Sequence, residues 1–218
     1  MPHIAYHTHK KELEKRVGAQ RLPSYKADMS KHSKADNETD ELDLAGLGIN
    51  KAVVLVGLMG VGKTTVGRRL ARRLGLDFVD SDHEIEKAAG MTIADIFEVY
   101  GEADFRSGER RVIARLLDGN PQIVATGGGA FINEETRALI KEAGLSIWLD
   151  ADIKVLVERT SRRATRPLLK GGNPEQILSA LATERAPIYG EADITVASGI
   201  GPHERVVEDI IAALAAYH

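Results

Sequence analysis

Along the chain, short apolar blocks alternate with longer stretches in which apolar positions recur every three to four residues. Ala52 to Val56 is the clearest block, β-branched and uninterrupted, and predicts a buried strand. Behind it Val66, Leu70 and Leu74 fall on one side of a helix, with Arg68, Arg69, Arg72 and Arg73 elsewhere. The alternation continues. Strands are predicted over 76–82, 122–125, 146–149 and 194–196, and helices over 82–89, 90–100, 110–117, 133–143, 153–159, 174–185 and 203–216. Strands that alternate with helices predict an α/β domain, a parallel sheet covered on both faces. In such folds ligands sit at the carboxyl ends of the strands.

Residues 1–49 break the pattern. They are rich in Lys, His, Asp, Glu and Ser and keep no period, which predicts a mostly disordered leader with a helical turn or two around Lys10 to Val17. His3, His7 and His9 could bind a metal, but no acidic or thiolate partner completes a ligand set, so a solvated tail is the better expectation. The domain is expected over 50–218. At 43% hydrophobic and 28% charged residues the composition is that of a soluble globular protein. A net charge of −3 gives no general attraction to nucleic acid or membranes. No apolar run is long enough for a membrane span, and the first residues lack the apolar core of a secretory signal. The absence of cysteine excludes a disulfide framework and a thiolate site, and is compatible with a cytoplasmic protein.

The first strand runs into Gly57-Leu58-Met59-Gly60-Val61-Gly62-Lys63-Thr64, followed by Thr65, which fits G-x-x-x-x-G-K-[ST] between a strand and a helix. Phosphates need many donors at close range. Glycines allow left-handed backbone, so that successive N–H groups point at an anion, and the following helix adds its positive end. Lys63 is expected to reach the β- and γ-phosphates and the Thr64 hydroxyl to hold Mg²⁺. Alone, such a segment is also a glycine-rich turn; the flanking elements favour a nucleotide phosphate site.

Three further features fall at strand ends. Asp80 and Asp82 are two apart and, on a strand, point to one side. Beside a triphosphate one should help to hold Mg²⁺, and the other is free to orient or deprotonate a hydroxyl; the plainer alternative is an acidic loop capping the next helix. Gly127, Gly128 and Gly129 allow a ligand close to the backbone and offer N–H donors. Arg106 and Arg185, near Glu109 and Glu184, suit two-point contact with a carboxylate, although each taken singly is more often a structural ion pair. Between Arg159 and Arg166 lies a basic run with Arg162 and Arg163, then Pro167 and Gly171-Gly172, which suits a lid that closes over phosphates.

In order and spacing these segments, together with Ile93…Ile96-Phe97…Gly101-Glu102…Phe105-Arg106…Glu109, Arg166-Pro167-Leu168-Leu169 and Arg185-Ala-Pro-Ile-Tyr189, resemble the shikimate kinase family. The resemblance covers 51–218 and leaves out the leader. It implies a P-loop nucleoside-monophosphate-kinase-like fold with a five-stranded parallel sheet and a lid loop. It implies transfer of the ATP γ-phosphate to the 3-hydroxyl of shikimate, toward chorismate and the aromatic amino acids, by a monomer that uses Mg²⁺. Carried over, Gly60, Val61, Gly62, Lys63, Thr64 and Thr65 hold the nucleotide phosphates, with Lys63 stabilising the transferring group. Thr64 and Asp80 serve the metal. Asp82 holds the shikimate hydroxyls and acts as base. Arg106 and Arg185 grip the carboxylate, Gly128 contacts the substrate by its backbone with Gly127 and Gly129 on either side, and Phe97 and Phe105 wall the ring. Arg166 reaches the phosphates from the lid, and Arg159 lies near the adenine. The nearest rival is a related small-molecule kinase such as a gluconate kinase. A guanine-reading switch would carry Asn-Lys-x-Asp after a strand, whereas Asn50-Lys51 precedes the first strand and continues Ala-Val.

Overall fold

The computed structural model describes residues 47, 49–161, 173–199 and 201–217. They belong to one compact unit within Glu41–His218. The expected helical turns near residue 10, the three N-terminal histidines and most of the basic loop after Ser161 lie outside the described residues.

Five strands form one parallel sheet: β1 (Ala52–Val56), β2 (Asp77–Asp80), β3 (Gln122–Ala125), β4 (Gly144–Asp150) and β5 (Ile194–Ala197), in the order β2-β3-β1-β4-β5. Register is set by Leu55 opposite both Ala125 and Ile147, Asp80 opposite Ala125, and Leu149 opposite Val196. All of β1 is buried, as a central strand covered on both faces requires. β5, at one edge, buries Ile194 and Val196 and exposes Thr195 and Ala197.

The helices are α1 (Lys63–Leu74), α2 (Ser81–Ala89), α3 (Ile93–Leu117), α4 (Glu134–Ala143), α5 (Ile153–Ser161), α6 (Pro174–Tyr189) and α7 (His203–Ala216). α1 buries Val66, Leu70 and Leu74, the apolar side read from the sequence, and stops at the left-handed Gly75. Its outer face meets α7 through Arg69–Glu204 at 2.9 Å and Arg73–Glu208 at 3.5 Å. Both pairs are solvent-facing and orient the helices more than they stabilise them. One large core runs through both faces of the sheet, and Leu47 and Ile49 are already part of it, so packing begins upstream of residue 50. A second, small cluster of Ile85, Ile96 and Phe105 joins α2 to α3.

Four local expectations change. The two helices expected over 90–100 and 110–117 are parts of α3, which bends at Gly101, where φ 79° and ψ 177° interrupt the helical backbone. α6 continues past Arg185 to Tyr189, because Pro187 sits in its last turn and removes only one donor. The triple glycine leads into a single 3-10 turn, Ala130–Ile132, that no sequence period announces. The strand expected to reach residue 82 ends at Asp80. Asp80 caps α2 with its carboxylate, which draws Ser81 and Asp82 into helix.

Candidate active site

The phosphate loop, Asp80, Thr126, Asp150 and Ser198 each follow or end a strand, so the sheet delivers chemistry from all five strands to one edge. There a cleft of about 560 Å³ is lined by the loop, both aspartates, Gly128, Arg159 and His203.

The loop geometry explains its glycines. Gly57, Gly60 and Gly62 have φ of 128°, 84° and 106°, which an L side chain adopts only under strain. The close approach is as restrictive: a Cβ on Gly57 would fall 2.6 Å from the Leu149 carbonyl oxygen. Lys63, at the start of α1, is buried and its Nζ donates to the carbonyls of Gly57 at 2.7 Å and Leu58 at 2.9 Å. The ammonium therefore lies across the mouth of the loop. The next residue, Thr64, donates its hydroxyl to Asp80 Oδ2 at 2.8 Å. A hydroxyl and a carboxylate in contact, with room in the cleft for waters and phosphate oxygens, form a hard oxygen set that fits Mg²⁺.

Asp80 and Asp82 do not share a strand face. Asp80 Oδ1 accepts the Asp82 amide at 3.1 Å, and Asp82 leaves the first turn of α2 toward the triple glycine. Burial raises its carboxyl to about 6; Asp80 and Glu109 add to the shift, and Lys63 opposes it. A carboxyl in that range is suited to accept a proton near neutral pH.

α3 brings a pair of aromatic rings and an arginine that lies against the triple glycine. Phe97 is 37% exposed, whereas Phe105 is only 5% exposed; the rings are 4.4 Å apart. Phe97 thus offers an apolar surface and Phe105 supports it from behind. Arg106 lies over the Phe105 ring, 5.1 Å from its centre, and Nη1 donates to Glu109 Oε2 at 2.7 Å. Glu102 meets the guanidinium at 3.3 Å. Glu109 is 1% exposed; burial raises its carboxyl, and its bond to Arg106 counteracts this.

The triple glycine is needed because these side chains lie flat upon it. A Cβ on Gly127 would fall 2.6 Å from Asp82 Oδ1, and one on Gly129 would fall 2.5 Å from Arg106 Nη2. The Gly127 amide is already used, donating to Ser81 Oγ at 3.3 Å, so it is not the open donor expected from the sequence. The Gly128 carbonyl accepts the Tyr189 hydroxyl at 2.5 Å and Arg185 Nη1 at 3.4 Å. Arg185 therefore meets the glycines rather than its neighbour Glu184.

At the other end, Arg159 Nη1 donates to the Val61 carbonyl at 3.0 Å and Nη2 to that of Gly199 at 3.0 Å, which ties α5 to the loop. His203, at the start of α7, also lines the cleft; burial and the charges of Arg159 and Arg69 lower its basicity. Nothing in the sequence marks it, because a single histidine after Pro202 has no partner at a fixed spacing. Tyr189 lies beyond the helix expected to end at Arg185, so its place on the same helical side as that arginine is not legible in the sequence. Arg166 lies outside the described residues, as do Arg162, Arg163 and the Gly171-Gly172 pair.

A parallel five-stranded sheet, a phosphate loop at the end of its central strand and a carboxyl group in the same cleft define a P-loop kinase of the nucleoside-monophosphate-kinase type. The sequence family described as shikimate kinase matches residues 59–215. The chain belongs to the shikimate kinase family. It is 56% identical to the shikimate kinase of Bradyrhizobium diazoefficiens over 183 residues, 84% of this chain and 87% of that one. Among solved structures, shikimate kinase from Acinetobacter baumannii in complex with shikimate is 40% identical, with a TM-score of 0.73 over 77% of this chain and 94% of that one. A gluconokinase from Sinorhizobium meliloti, 21% identical with a TM-score of 0.53 over 77% of this chain and 93% of that one, shares the fold alone.

Proposed function

We propose that the chain transfers the γ-phosphoryl group of ATP to the 3-hydroxyl of shikimate, giving shikimate 3-phosphate and ADP on the way to chorismate and the aromatic amino acids. The observation that carries this is the position of Asp82. Its carboxyl, raised to about 6, shares one cleft with Lys63 of the phosphate loop and stands beside the glycines against which Arg106 and Arg185 rest.

The chemistry follows from that placement. Asp82 accepts the proton of the acceptor hydroxyl. The freed oxygen bonds to the γ-phosphorus as the bond between that phosphorus and the β,γ-bridging oxygen breaks, and ADP leaves with the electron pair. The transition state is loose and highly charged, so positioning and charge neutralisation matter more than covalent chemistry. Lys63 and the loop amides supply fixed positive charge, with Arg166 proposed to add its own from the lid. Thr64 and Asp80 would hold Mg²⁺, which when bound neutralises phosphate charge. Arg106 and Arg185 would grip the shikimate carboxylate, with Phe97 against the ring and Phe105 behind it. Arg159 is proposed to border the adenine.

The test is ADP release from Mg²⁺-ATP alone, with shikimate, and with gluconate. Stimulation by shikimate alone is the expected result. Stimulation by gluconate, or by neither acceptor, overturns the proposal.

A further inference from the structure

Tyr189 ends α6 four residues after Arg185, so the two side chains leave the helix on one side. Its ring is stacked between Trp148 of β4, 5.9 Å away, and Phe131 of the 3-10 turn, 6.5 Å away. The residue is 2% exposed. A tyrosine buried this deeply needs partners for its hydroxyl, and they are the Gly128 carbonyl, which accepts it at 2.5 Å, and the Arg185 side chain.

That carbonyl is a junction. Arg185 Nη1 reaches it at 3.4 Å, while Arg185 Nε is buried with no hydrogen-bond partner among the described residues. On its other side Gly128 backs onto the phosphate loop, where a Cβ would fall 3.3 Å from the Met59 amide nitrogen. The next residue, Gly129, is the one against which the Arg106 guanidinium lies. The middle glycine thus joins both arginines to the loop that holds the phosphates, and the tyrosine is the rigid group that grips it.

We propose that Tyr189 is a positioning residue for the acceptor: its hydroxyl fixes the Gly128 peptide and thereby sets Arg185 and Arg106 toward one anionic group. The ring stack leaves the hydroxyl little freedom, which is what a strut requires. Burial raises the phenol to about 12, against the opposing influence of Arg185, so the group remains a donor through the neutral range. The inference rests on the two arginines facing the acceptor carboxylate, as proposed above.

Tyr189→Phe keeps the ring and its stacking and removes only the hydroxyl. The KM for shikimate should rise about 5- to 10-fold, the scale of one lost buried hydrogen bond, while the KM for ATP stays unchanged. In an Arg185→Lys background the same substitution should add little, because the hydroxyl acts through that arginine. A merely structural role would lower the melting temperature and the active fraction without separating the two KM values. An unchanged KM for shikimate, equal rises for both substrates, or full additivity with Arg185→Lys overturns the inference. If the wild-type protein ignores shikimate, the proposed function falls and the inference with it. If the wild type responds and Tyr189→Phe behaves like it, the inference alone falls.

Discussion

Thr64 and Asp80 are bound to each other across the edge of the sheet, hydroxyl to carboxylate at 2.8 Å, although sixteen residues separate them. Thr64 lies in the first turn of α1 and Asp80 caps α2, so one contact sets the phosphate loop and the helix that carries Asp82 at a fixed distance. Asp80→Asn keeps a side chain that can cap α2, since asparagine is a good N-cap, but removes the negative charge. The melting temperature should change little. The Mg²⁺ concentration for half-maximal ADP release should rise by at least about tenfold, because the proposed cation site loses a charged oxygen partner. A titration of activity with Mg²⁺ checks this, and an unaltered midpoint would remove Asp80 from the metal site.

Asp82→Asn should lower kcat by at least roughly 100-fold, the lower scale for loss of a general base. It should also make the protein more stable. Burial raises the folded-state carboxyl from its ordinary value of 3.8 to about 6, so the native protein holds this proton more tightly than the unfolded chain does. The ionised carboxylate therefore costs stability, a cost that grows as pH rises from 3.8 through 6 and is complete above. An uncharged amide avoids it, by about 1–3 kcal/mol near neutral pH. Chemical denaturation of both proteins at pH 5 and pH 8 should show the larger difference at the higher pH.

The same titration gives the pH dependence of the wild type. With Asp82 as the proposed base its deprotonated form does the work, so kcat/KM for the acceptor should fall as pH drops through about 6. The acid limb should disappear in the residual activity of Asp82→Asn. A limb that persists there with the same midpoint belongs to another group.

Arg106→Ala removes a guanidinium that meets Glu109 at 2.7 Å and is proposed to meet the substrate carboxylate. The KM for shikimate should rise about 10- to 100-fold, the range for one charge-assisted contact, and the KM for ATP should not follow. Equal rises would sink the carboxylate assignment. The fold should persist, because Glu109, already raised by burial, can take up a proton once its partner is gone.

How much of this site is legible in the chain depends on whether a local rule fixes each part. The phosphate loop is legible because strand, glycine spacing and helix occupy fourteen consecutive residues, each constrained by the same anion. The arginines are legible as charges, but not in their partners: Arg185 sits beside Glu184 in sequence and against Gly128 in space. The misplacement of Asp82 has a definite cause. A strand and a capped helix compete for residues 80–82, and the capping carboxylate of Asp80 decides between them only when the amide of Asp82 comes within reach. His203 reaches the cleft through packing of the last helix on α1, which no window of sequence contains.

The triple glycine allows the sharpest test of geometry against flexibility. Gly129 has an ordinary backbone conformation, so an added methyl group meets no backbone strain there. It would, however, fall 2.5 Å from Arg106 Nη2 and 2.9 Å from Nη1. Gly129→Ala must therefore push the guanidinium off its seat, and should raise the KM for shikimate while leaving ATP binding intact. Gly108, within α3, has open space where a Cβ would stand. Gly108→Ala should leave both KM values unchanged and stabilise the protein by about 0.5–1 kcal/mol, the usual gain for alanine over glycine inside a helix. If Gly129→Ala behaves like Gly108→Ala, the glycines are tolerated as turn residues and Arg106 does not depend on them. If it behaves like Arg106→Ala, the absent side chain at 129 is itself what gives the arginine its place.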